Sequence, residues 1–213
     1  MKTVLVTGGT VRLGAAMAER LKAEGWRVLT SSHRADAGAD LVADLSAQDG
    51  AVKLYAAALK ALDGNPPDAL VNNAALFTGD AAAIAAVNLE SPRKLTTLMA
   101  GRETGMGAVV NILDAGIGDQ GSGIRGNYLA SKRALLDFTR SAAAMFAATL
   151  RVNAVAPGPV LAPTGVHVKA GETLLDRRPT PDDVAAAVSY LLGAESTTGA
   201  IIPVDAGQHL LEV

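Results

Sequence analysis

Short runs of apolar and β-branched residues alternate with longer stretches of helical spacing along the chain of 213 residues. The short runs, which predict strands, are Thr3–Thr7, Arg27–Ser31, Leu41–Ala43, Ala69–Asn72, Ala108–Leu113, Arg151–Val155 and Ala200–Val204. The longer stretches, which predict helices, are Leu13–Ala23, Gln48–Leu62, Ala81–Met99, Tyr128–Ala147 and Pro181–Leu192. Because strands that alternate with helices connect through right-handed crossovers, this order predicts an α/β fold with a doubly wound parallel sheet. We expect residues 1–213 to form a single domain.

The bulk composition argues against several classes of function. With 19 basic and 21 acidic residues and no run of Lys and Arg, the chain is a poor candidate for binding nucleic acid or an anionic membrane. The absence of cysteine excludes disulfides and thiol nucleophiles. No His, Asp and Glu group has metal-ligand spacing, so we predict no metal and interpret His167 and His209 as loop residues. No apolar stretch suits a signal peptide or the roughly 18 residues of a membrane span, which predicts a cytoplasmic protein.

A glycine-rich turn joins the first predicted strand to the first predicted helix. Residues 7–14 read Thr-Gly-Gly-Thr-Val-Arg-Leu-Gly. Glycines let the backbone turn tightly and approach a pyrophosphate, and the helix that follows offers free N–H groups and the positive end of its dipole. The alternative is an ordinary strand-to-helix turn. Its place in the first βα unit favours a dinucleotide site.

The second predicted strand ends in hydroxylic and basic residues, where an NAD-selective site usually carries an acid. Ser31, Ser32, His33 and Arg34 stand there. The planar guanidinium of Arg34 can hold the 2′-phosphate of NADP with two bonds; the alternative is a solvated surface arginine. Asp44 follows the third predicted strand, where it could accept a bond from the adenine amino group or cap the next helix.

Tyr128 and Lys132 lie four residues apart at the start of a predicted helix, so their side chains share one helix face. A phenol has an ordinary pKa of about 10, and a nearby ammonium lowers that pKa. Tyr128 could then give a proton to a substrate while a nicotinamide gives a hydride. Taken alone, the pair also fits an ordinary surface contact.

Several motifs occur together in the order and spacing of the short-chain dehydrogenase/reductase family, which the chain therefore resembles over nearly its whole length. They are the glycine turn, Asn72-Asn73-Ala74, Asn88, the pair Tyr128 and Lys132, the segment 153–158 (Asn-Ala-Val-Ala-Pro-Gly) and Val204-Asp205-Ala206-Gly207. The resemblance implies a Rossmann-type sheet of about seven strands with helices on both faces. It also implies a nicotinamide cofactor and a homodimer or homotetramer.

The resemblance assigns roles to the matching positions. It implies that Tyr128 is the acid, that Lys132 assists it and holds the nicotinamide ribose, and that Asn88 holds a water in the proton relay. It also implies contacts with the cofactor, interpreted as NADPH or NADP+, at Gly8, Thr10, Arg12, Leu13, Gly14, His33, Arg34, Asp44, Leu45, Asn73, Ala74, Lys132, Pro157, Gly158 and Val160.

Two departures from the wider family are similar to the pteridine reductases, including the bacterial dihydromonapterin reductases. Arg12 stands where the family usually has a glycine, and Asp114 stands near the position of the usual catalytic serine. In that subgroup the glycine turn carries an Arg, and an Asp joins the Tyr and Lys. His33 and Arg34 resemble its NADPH-selecting segment, and Phe77 matches the aromatic residue that stacks on the pterin ring.

The residues of this subgroup suit a flat heterocycle, and we predict substrate contacts at Phe77, Arg12, Asp114 and Tyr128. The Asp114 carboxylate can accept from ring N–H groups or feed a proton through Tyr128 to the ring nitrogen being reduced. Arg12 could reach the cofactor phosphate and the polar edge of the ring, while Phe77 and the nicotinamide sandwich it. The alternatives are a strand-end turn former for Asp114, a core side chain for Phe77 and a phosphate contact alone for Arg12.

Other features depart from the subgroup or lie around its pocket. Asp114 precedes the catalytic tyrosine by one residue more than the subgroup pattern, and we expect the glycine-rich loop Gly116–Gly126 to absorb it. Ala75 stands where a pterin-bonding serine is frequent. Weak periodicity over Gly158–Asp176 predicts a loop that could serve as a lid. Leu210 and its neighbours resemble the tail that closes the pocket.

The sequence thus predicts an NADPH-dependent reductase that converts a dihydropterin C=N bond into a tetrahydropterin. The first alternative is a reductase of a carbonyl compound or an acyl-carrier-bound ketone, against which the loss of the serine hydroxyl argues. The second is a catalytically silent NADP(H)-binding sensor or scaffold, against which Tyr128, Lys132 and Asn88 argue. The expected partners are a small-molecule substrate, a pterin, and further copies of the chain.

Overall fold

The structure is a computed structural model that describes residues 1–103, 105–118, 123–160, 173–175 and 177–211. Its parallel strands form one sheet in the order β3-β2-β1-β4-β5-β6-β7. The strands are β1 (Thr3–Thr7), β2 (Arg27–Ser32), β3 (Leu41–Val42), β4 (Ala69–Asn72), β5 (Gly107–Ile112), β6 (Leu150–Pro157) and β7 (Ile201–Val204). The α-helices are α1 (Arg12–Ala23), α2 (Gly50–Ala61), α3 (Ala81–Ala85), α4 (Ser91–Ala100), α5 (Gly123–Met145) and α6 (Pro181–Gly193). The predicted doubly wound parallel sheet is confirmed.

Side chains that alternate along the central strands fill two separate cores. In β1, Val4 and Val6 pack with Met17 of α1 on one face of the sheet. Leu5 points to the other face and packs with Leu54 of α2. A parallel sheet is covered on both faces, so all three aliphatic positions of β1 are buried.

The predicted start of the last long helix is confirmed in detail. Thr180 accepts a hydrogen bond from the backbone N–H of Asp183, and the Asp183 carboxylate accepts one from the backbone N–H of Thr180. Pro181 occupies the first turn, where its missing N–H costs nothing. This reciprocal cap begins α6.

The helix predicted over Ala81–Met99 is confirmed, and it contains a π-helical turn that the sequence does not predict. The structure divides that stretch into α3, a π-helical turn at Ala86–Glu90 and α4. A π-helical turn is a single widened turn inside an α-helical stretch, and the apolar spacing of the sequence does not predict its position. The turn places Asn88 inside the protein, fully buried.

Parallel strands end at one edge of the sheet, and this edge collects the polar motifs. The glycine turn follows β1, Arg34 follows β2, and Asp44 follows β3. Asn73 follows β4, and Asp114 follows β5 by two residues. An open α/β sheet binds ligands in the crevice at this edge, which is where the side chains described next meet.

Candidate active site

Tyr128 and Asp114 contact each other beyond the carboxyl end of β5. The Tyr128 hydroxyl, in the second turn of α5, donates a hydrogen bond to Asp114 Oδ2 at 3.0 Å. The second carboxylate oxygen, Oδ1, accepts from the backbone N–H of Gly116 at 2.8 Å. Asp114 therefore forms the turn after β5 and contacts the tyrosine at the same time, so its two interpretations are compatible.

Lys132 lies one helical turn after Tyr128, with 2% of its surface exposed. Its Nζ donates to the backbone oxygen of Ile112 at 2.8 Å and lies 5.7 Å from the centroid of the Tyr128 ring. The bond to Ile112 attaches α5 to the last residue of β5. It also holds the buried ammonium beside the phenol ring.

In this arrangement the net shift of the Tyr128 pKa is upward, because burial and Asp114 outweigh any lowering by Lys132. Burial raises the pKa of Tyr128 well above its ordinary value, and the charge and hydrogen bond of Asp114 raise it further. Burial lowers the pKa of Lys132 to about 8, with Asp114 acting in the opposite direction. The phenol therefore keeps its proton at neutral pH, which is the protonation state that a proton donor needs.

Asn88 connects α5, which carries Tyr128, to the segment that follows β4. Its Oδ1 accepts from the Leu76 N–H at 2.7 Å, and its Nδ2 donates to the Leu76 oxygen at 2.9 Å and to Ser131 Oγ at 3.0 Å. Ser131 in turn donates to the Tyr128 backbone oxygen at 2.6 Å. Both Nδ2 hydrogens are engaged, so the predicted water-holding role of Asn88 can use only its oxygen atoms.

Phe77 lies at the mouth of the site, directly after the residue that Asn88 holds. Its ring centroid is 4.9 Å from that of Tyr128, with the planes inclined by 56°. The side chain is 55% exposed, so the core interpretation is wrong. An exposed ring beside Tyr128 offers a face to a planar ligand.

Close backbone contacts fix the glycine turn and leave no room for a side chain at Gly14. Gly8 has a φ of +62°, and a Cβ at Gly14 would lie 2.0 Å from the Gly8 oxygen. Asn73 Nδ2 donates to the backbone oxygens of Thr7 and Gly8 at 2.9 and 3.1 Å. Thr7 Oγ1 accepts from the N–H groups of Asn73 and Ala74, each at 3.0 Å. The residues after β4 therefore fix the conformation of the turn through hydrogen bonds to its backbone and to Thr7.

The start of α1 has the donor set that a pyrophosphate requires. Val11 at the N-cap position makes no side-chain hydrogen bond to the helix, and the first turn carries no acid. Arg12 begins the helix with a φ of +52°, a region that favours glycine and explains the usual family residue there. Thr10 is half-buried, and Leu13 packs against the core. Uncapped N–H groups, a dipole end and a cation together fit a phosphate anion.

Arg34 is exposed and forms an ion pair, so it is not surrounded by solvent alone. Its Nε and Nη2 donate to the two carboxylate oxygens of Asp36 at 3.0 and 2.7 Å. Nη1 takes no part in this pair. The sequence analysis does not predict the pairing of Asp36 with Arg34. The only feature of the sequence that indicates it is an acidic residue two positions after Arg34. His33, the neighbour of Arg34, is exposed at the same sheet edge.

The segment after β3 is ordered by its own polar groups. Asp44 Oδ1 accepts from the N–H and Oγ of Ser46 at 2.9 and 2.6 Å. Because α2 begins only after Asp49, the interpretation of Asp44 as its cap is wrong, and the adenine contact stays a prediction. Leu45 is buried, and its backbone oxygen accepts from Ser91 Oγ at 2.8 Å.

The end of β6 presents Pro157, Gly158 and Val160 at the same edge. The N–H of Gly158 donates to the Val204 oxygen at 3.0 Å, and that of Val160 to the Gly158 oxygen at 2.8 Å. A Cβ at Gly158 would lie 2.6 Å from Asp205 Cβ. Most of the predicted lid, Gly158–Asp176, lies outside the described residues, as does His167.

The chain after β7 returns to the turn that follows Asp114. Buried Asp205 accepts from the His209 N–H at 2.8 Å, and His209 Nδ1 lies 2.7 Å from the same oxygen. The 3-10 turns Gln208–Leu210 and Ala115–Gly118 contact each other. Leu210 is 54% exposed. This placement brings the predicted closing tail next to the site.

Two features of the described residues bear on other classes of function. None of their helices is long and apolar enough to cross a membrane. They also contain no group of three or more His, Asp or Glu side chains placed to hold a metal ion.

The fold and this set of side chains define a nicotinamide-type oxidoreductase framework, and comparison with known proteins identifies the family. Residues 2–173 match the short chain dehydrogenase family, and the chain belongs to that family.

The chain is similar to several named relatives across nearly its whole length. The chain is 34% identical to a Streptomyces violaceoruber protein named as ketoacyl reductase 2 of the granaticin polyketide synthase, over 97% of this chain and 96% of the relative. It is 27% identical to the dihydromonapterin reductase of Escherichia coli, over 97% and 96% of the two chains. Among solved structures, FolM alternative dihydrofolate reductase 1 from Brucella canis, complexed with NADP, shares 31% identity at a TM-score of 0.82, over 98% of this chain and 94% of that one.

Proposed function

We propose that this chain is an NADPH-dependent reductase that converts a dihydropterin into a tetrahydropterin at a C=N bond. The observation that carries the proposal is the hydrogen bond between Tyr128 and Asp114 at the position where the family usually has a serine. Phe77 beside Tyr128 supplies an exposed ring for a planar substrate. Similarity to a dihydromonapterin reductase and to a FolM alternative dihydrofolate reductase complexed with NADP supports the same substrate class and cofactor.

The cofactor would be held along the carboxyl edge of the sheet. The uncapped start of α1 and Arg12 suit its pyrophosphate, and Arg34 suits the 2′-phosphate. The backbone at Asn73–Ala74 and Gly158 would line the crevice beyond β4 and β6. When bound, NADPH supplies the hydride for the carbon of the C=N bond.

The residues around Tyr128 supply the proton for the nitrogen of that bond. Tyr128 holds the proton because burial and Asp114 raise its pKa. The hydroxyl turns from Asp114 to the substrate nitrogen and transfers its proton as the C=N bond becomes C–N. The phenolate left behind is stabilised by the Lys132 ammonium, which lies 5.7 Å from the ring centroid. A proton from solvent then restores the phenol.

A ketoacyl or other carbonyl reductase is the second candidate, favoured by the relative named as a ketoacyl reductase at 34% identity. Tyr128 and Lys132 serve that reaction equally well. The local chemistry argues against it, because the Asp114 oxygens accept hydrogen bonds from Tyr128 and Gly116, whereas a serine hydroxyl would donate one to a carbonyl oxygen.

The two candidates separate in one assay, the loss of NADPH absorbance with purified protein. Dihydropterins, dihydrofolate, simple ketones and a ketoacyl thioester are offered in turn, with NADH in parallel. We expect turnover of a dihydropterin with NADPH. Turnover of ketones or the thioester alone would leave Tyr128 and Lys132 in their roles but reject the pterin assignment of Asp114 and Phe77. No turnover of any substrate would favour a silent NADP(H)-binding protein.

Replacing Arg34 with Asp tests the cofactor preference. The change removes a guanidinium that suits a 2′-phosphate and places a second carboxylate beside Asp36. Because charge-assisted bonds contribute about 1.5–3 kcal/mol, we expect the NADPH over NADH ratio of kcat/KM to fall by about tenfold or more. Calorimetric binding of NADP+ and NAD+ checks the same ratio without turnover.

The matched control for that variant is Arg93→Asp, which changes an exposed arginine of α4 paired with Glu90. Its cofactor preference should equal that of the unchanged protein. If the ratio for Arg34→Asp also stays constant, Arg34 does not select the cofactor.

A further inference from the structure

Two adjacent side chains of the catalytic helix attach to the backbone on either side of Asp114. Lys132 Nζ donates to the oxygen of Ile112 at 2.8 Å, two residues before Asp114. Arg133 Nη1 donates to the oxygen of Ile117 at 2.9 Å, three residues after it. The segment that carries the carboxylate is therefore attached to α5 at both ends.

The two attachments hold different kinds of backbone. Ile112 is the last residue of β5, which pairs with β6 throughout its length, so the sheet fixes it without Lys132. Ile117 lies in the turn Ala115–Gly118, which belongs to no strand. The position of that turn depends on side-chain contacts, and Arg133 provides one from a half-buried position on α5.

The same turn sets the direction of the Asp114 carboxylate. Oδ1 accepts from the Gly116 N–H, and this leaves Oδ2 directed at the Tyr128 hydroxyl. Gly116 also packs closely, since a Cβ there would lie 3.1 Å from Oδ1 and 3.9 Å from Leu129 Cδ2. A displacement of the turn would therefore move Oδ2 away from the tyrosine.

We propose that Arg133 is a positioning residue that holds Asp114 against Tyr128 by fixing the turn after β5. The inference rests on the proposed function only in taking Tyr128 as the proton donor. It does not depend on which substrate is reduced, because the contacts lie wholly within the protein.

The variant Arg133→Met removes the donor to Ile117 and keeps much of the apolar stem. We expect kcat to fall about tenfold, since small displacements of a catalytic group cost this much or more, while the Kd for NADP+ is unchanged. Arg133→Lys keeps a cation that can donate and should recover part of the loss. Arg140→Met, which alters an exposed arginine seven residues further along α5, should match the unchanged protein.

A double-mutant cycle with Asp114→Asn distinguishes positioning from general destabilisation. If Arg133 acts through Asp114, Arg133→Met has little further effect on kcat in the Asp114→Asn background. If the fold-decreases in kcat of the two single variants multiply in the double variant, the proposal is overturned.

A second measurement needs no substrate. With tyrosine labelled at Cζ, the NMR signal that Tyr128→Phe removes reports the hydrogen bond between Tyr128 and Asp114. That signal should shift in Arg133→Met toward its position in Asp114→Asn, and stay in place in Arg140→Met. An unmoved signal in a folded Arg133→Met protein would overturn the inference even if dihydropterin turnover is found. A shifted signal with no dihydropterin turnover would sink the proposed substrate alone.

Discussion

Replacing Tyr128 with Phe is expected to lower kcat by about 10³-fold, within the range attributed to a single general acid. The change removes the only hydroxyl that donates to Asp114 Oδ2 among the described residues and leaves the rest of the ring in its half-buried position. Asp114 keeps its bond from Gly116, so the turn after β5 should hold its shape. The Kd for NADP+, measured by calorimetry, should change by less than about twofold.

The control for this prediction is Tyr190→Phe, which removes the hydroxyl of a tyrosine on α6 that is 60% exposed. It should turn over at the rate of the unchanged protein. Activity of Tyr128→Phe near that rate would mean that another group supplies the proton, and Asp114 would be the next residue to test.

The fold could be predicted because the short apolar runs of the strands alternate regularly along the chain with stretches of helical spacing. Buried parallel strands are short and apolar, and helices between them are long enough to show their own spacing. The errors lie where backbone geometry changes without a change in apolar spacing. The start of α5 at Gly123, before the predicted Tyr128, is the case in point. The residues Gly123–Gly126 carry two glycines, which spacing alone assigns to a loop.

The site could be predicted as a set of positions, but its electrostatics could not. The contact between Asp114 and Tyr128 follows from where β5 ends and α5 begins, and motif spacing is enough to place both residues at one sheet edge. The direction of the Tyr128 pKa shift depends on burial and on a 3.0 Å contact, which no motif encodes. No motif indicates Arg133 for a similar reason, since it follows the motif lysine directly and its partner is a backbone oxygen.

Replacing Lys132 with Met should remove activity and change how stability depends on pH. The ammonium beside Tyr128 stabilises the phenolate formed after proton transfer, so we expect kcat to fall by about 10²-fold or more. Methionine fills similar space but gives the Ile112 oxygen no donor, which costs about 1–3 kcal/mol of unfolding free energy at every pH. The part of the difference that depends on pH reports the buried ammonium alone.

The sign of that part follows from the two pKa values of Lys132. In the folded protein burial lowers the pKa to about 8, against an ordinary 10.5 in the unfolded chain. Between these values the unfolded chain binds more protons, so the free energy of unfolding of the unchanged protein rises with pH. Below pH 8 the buried ammonium lowers the free energy of unfolding by its full amount. This is about 3 kcal/mol, since each unit of pKa shift corresponds to about 1.4 kcal/mol.

Denaturant unfolding of both proteins from pH 7 to pH 10 measures this cost. Relative to Lys132→Met, the unchanged protein should gain about 2–3 kcal/mol of stability over that range. The range stops at pH 10 because the raised pKa of Tyr128 acts with the opposite sign above it. Lys94→Met, at an exposed position of α4, should run parallel to the unchanged protein. If Lys132→Met also runs parallel, the ammonium is solvated in the folded protein, and Lys132 cannot stabilise the phenolate as a buried charge.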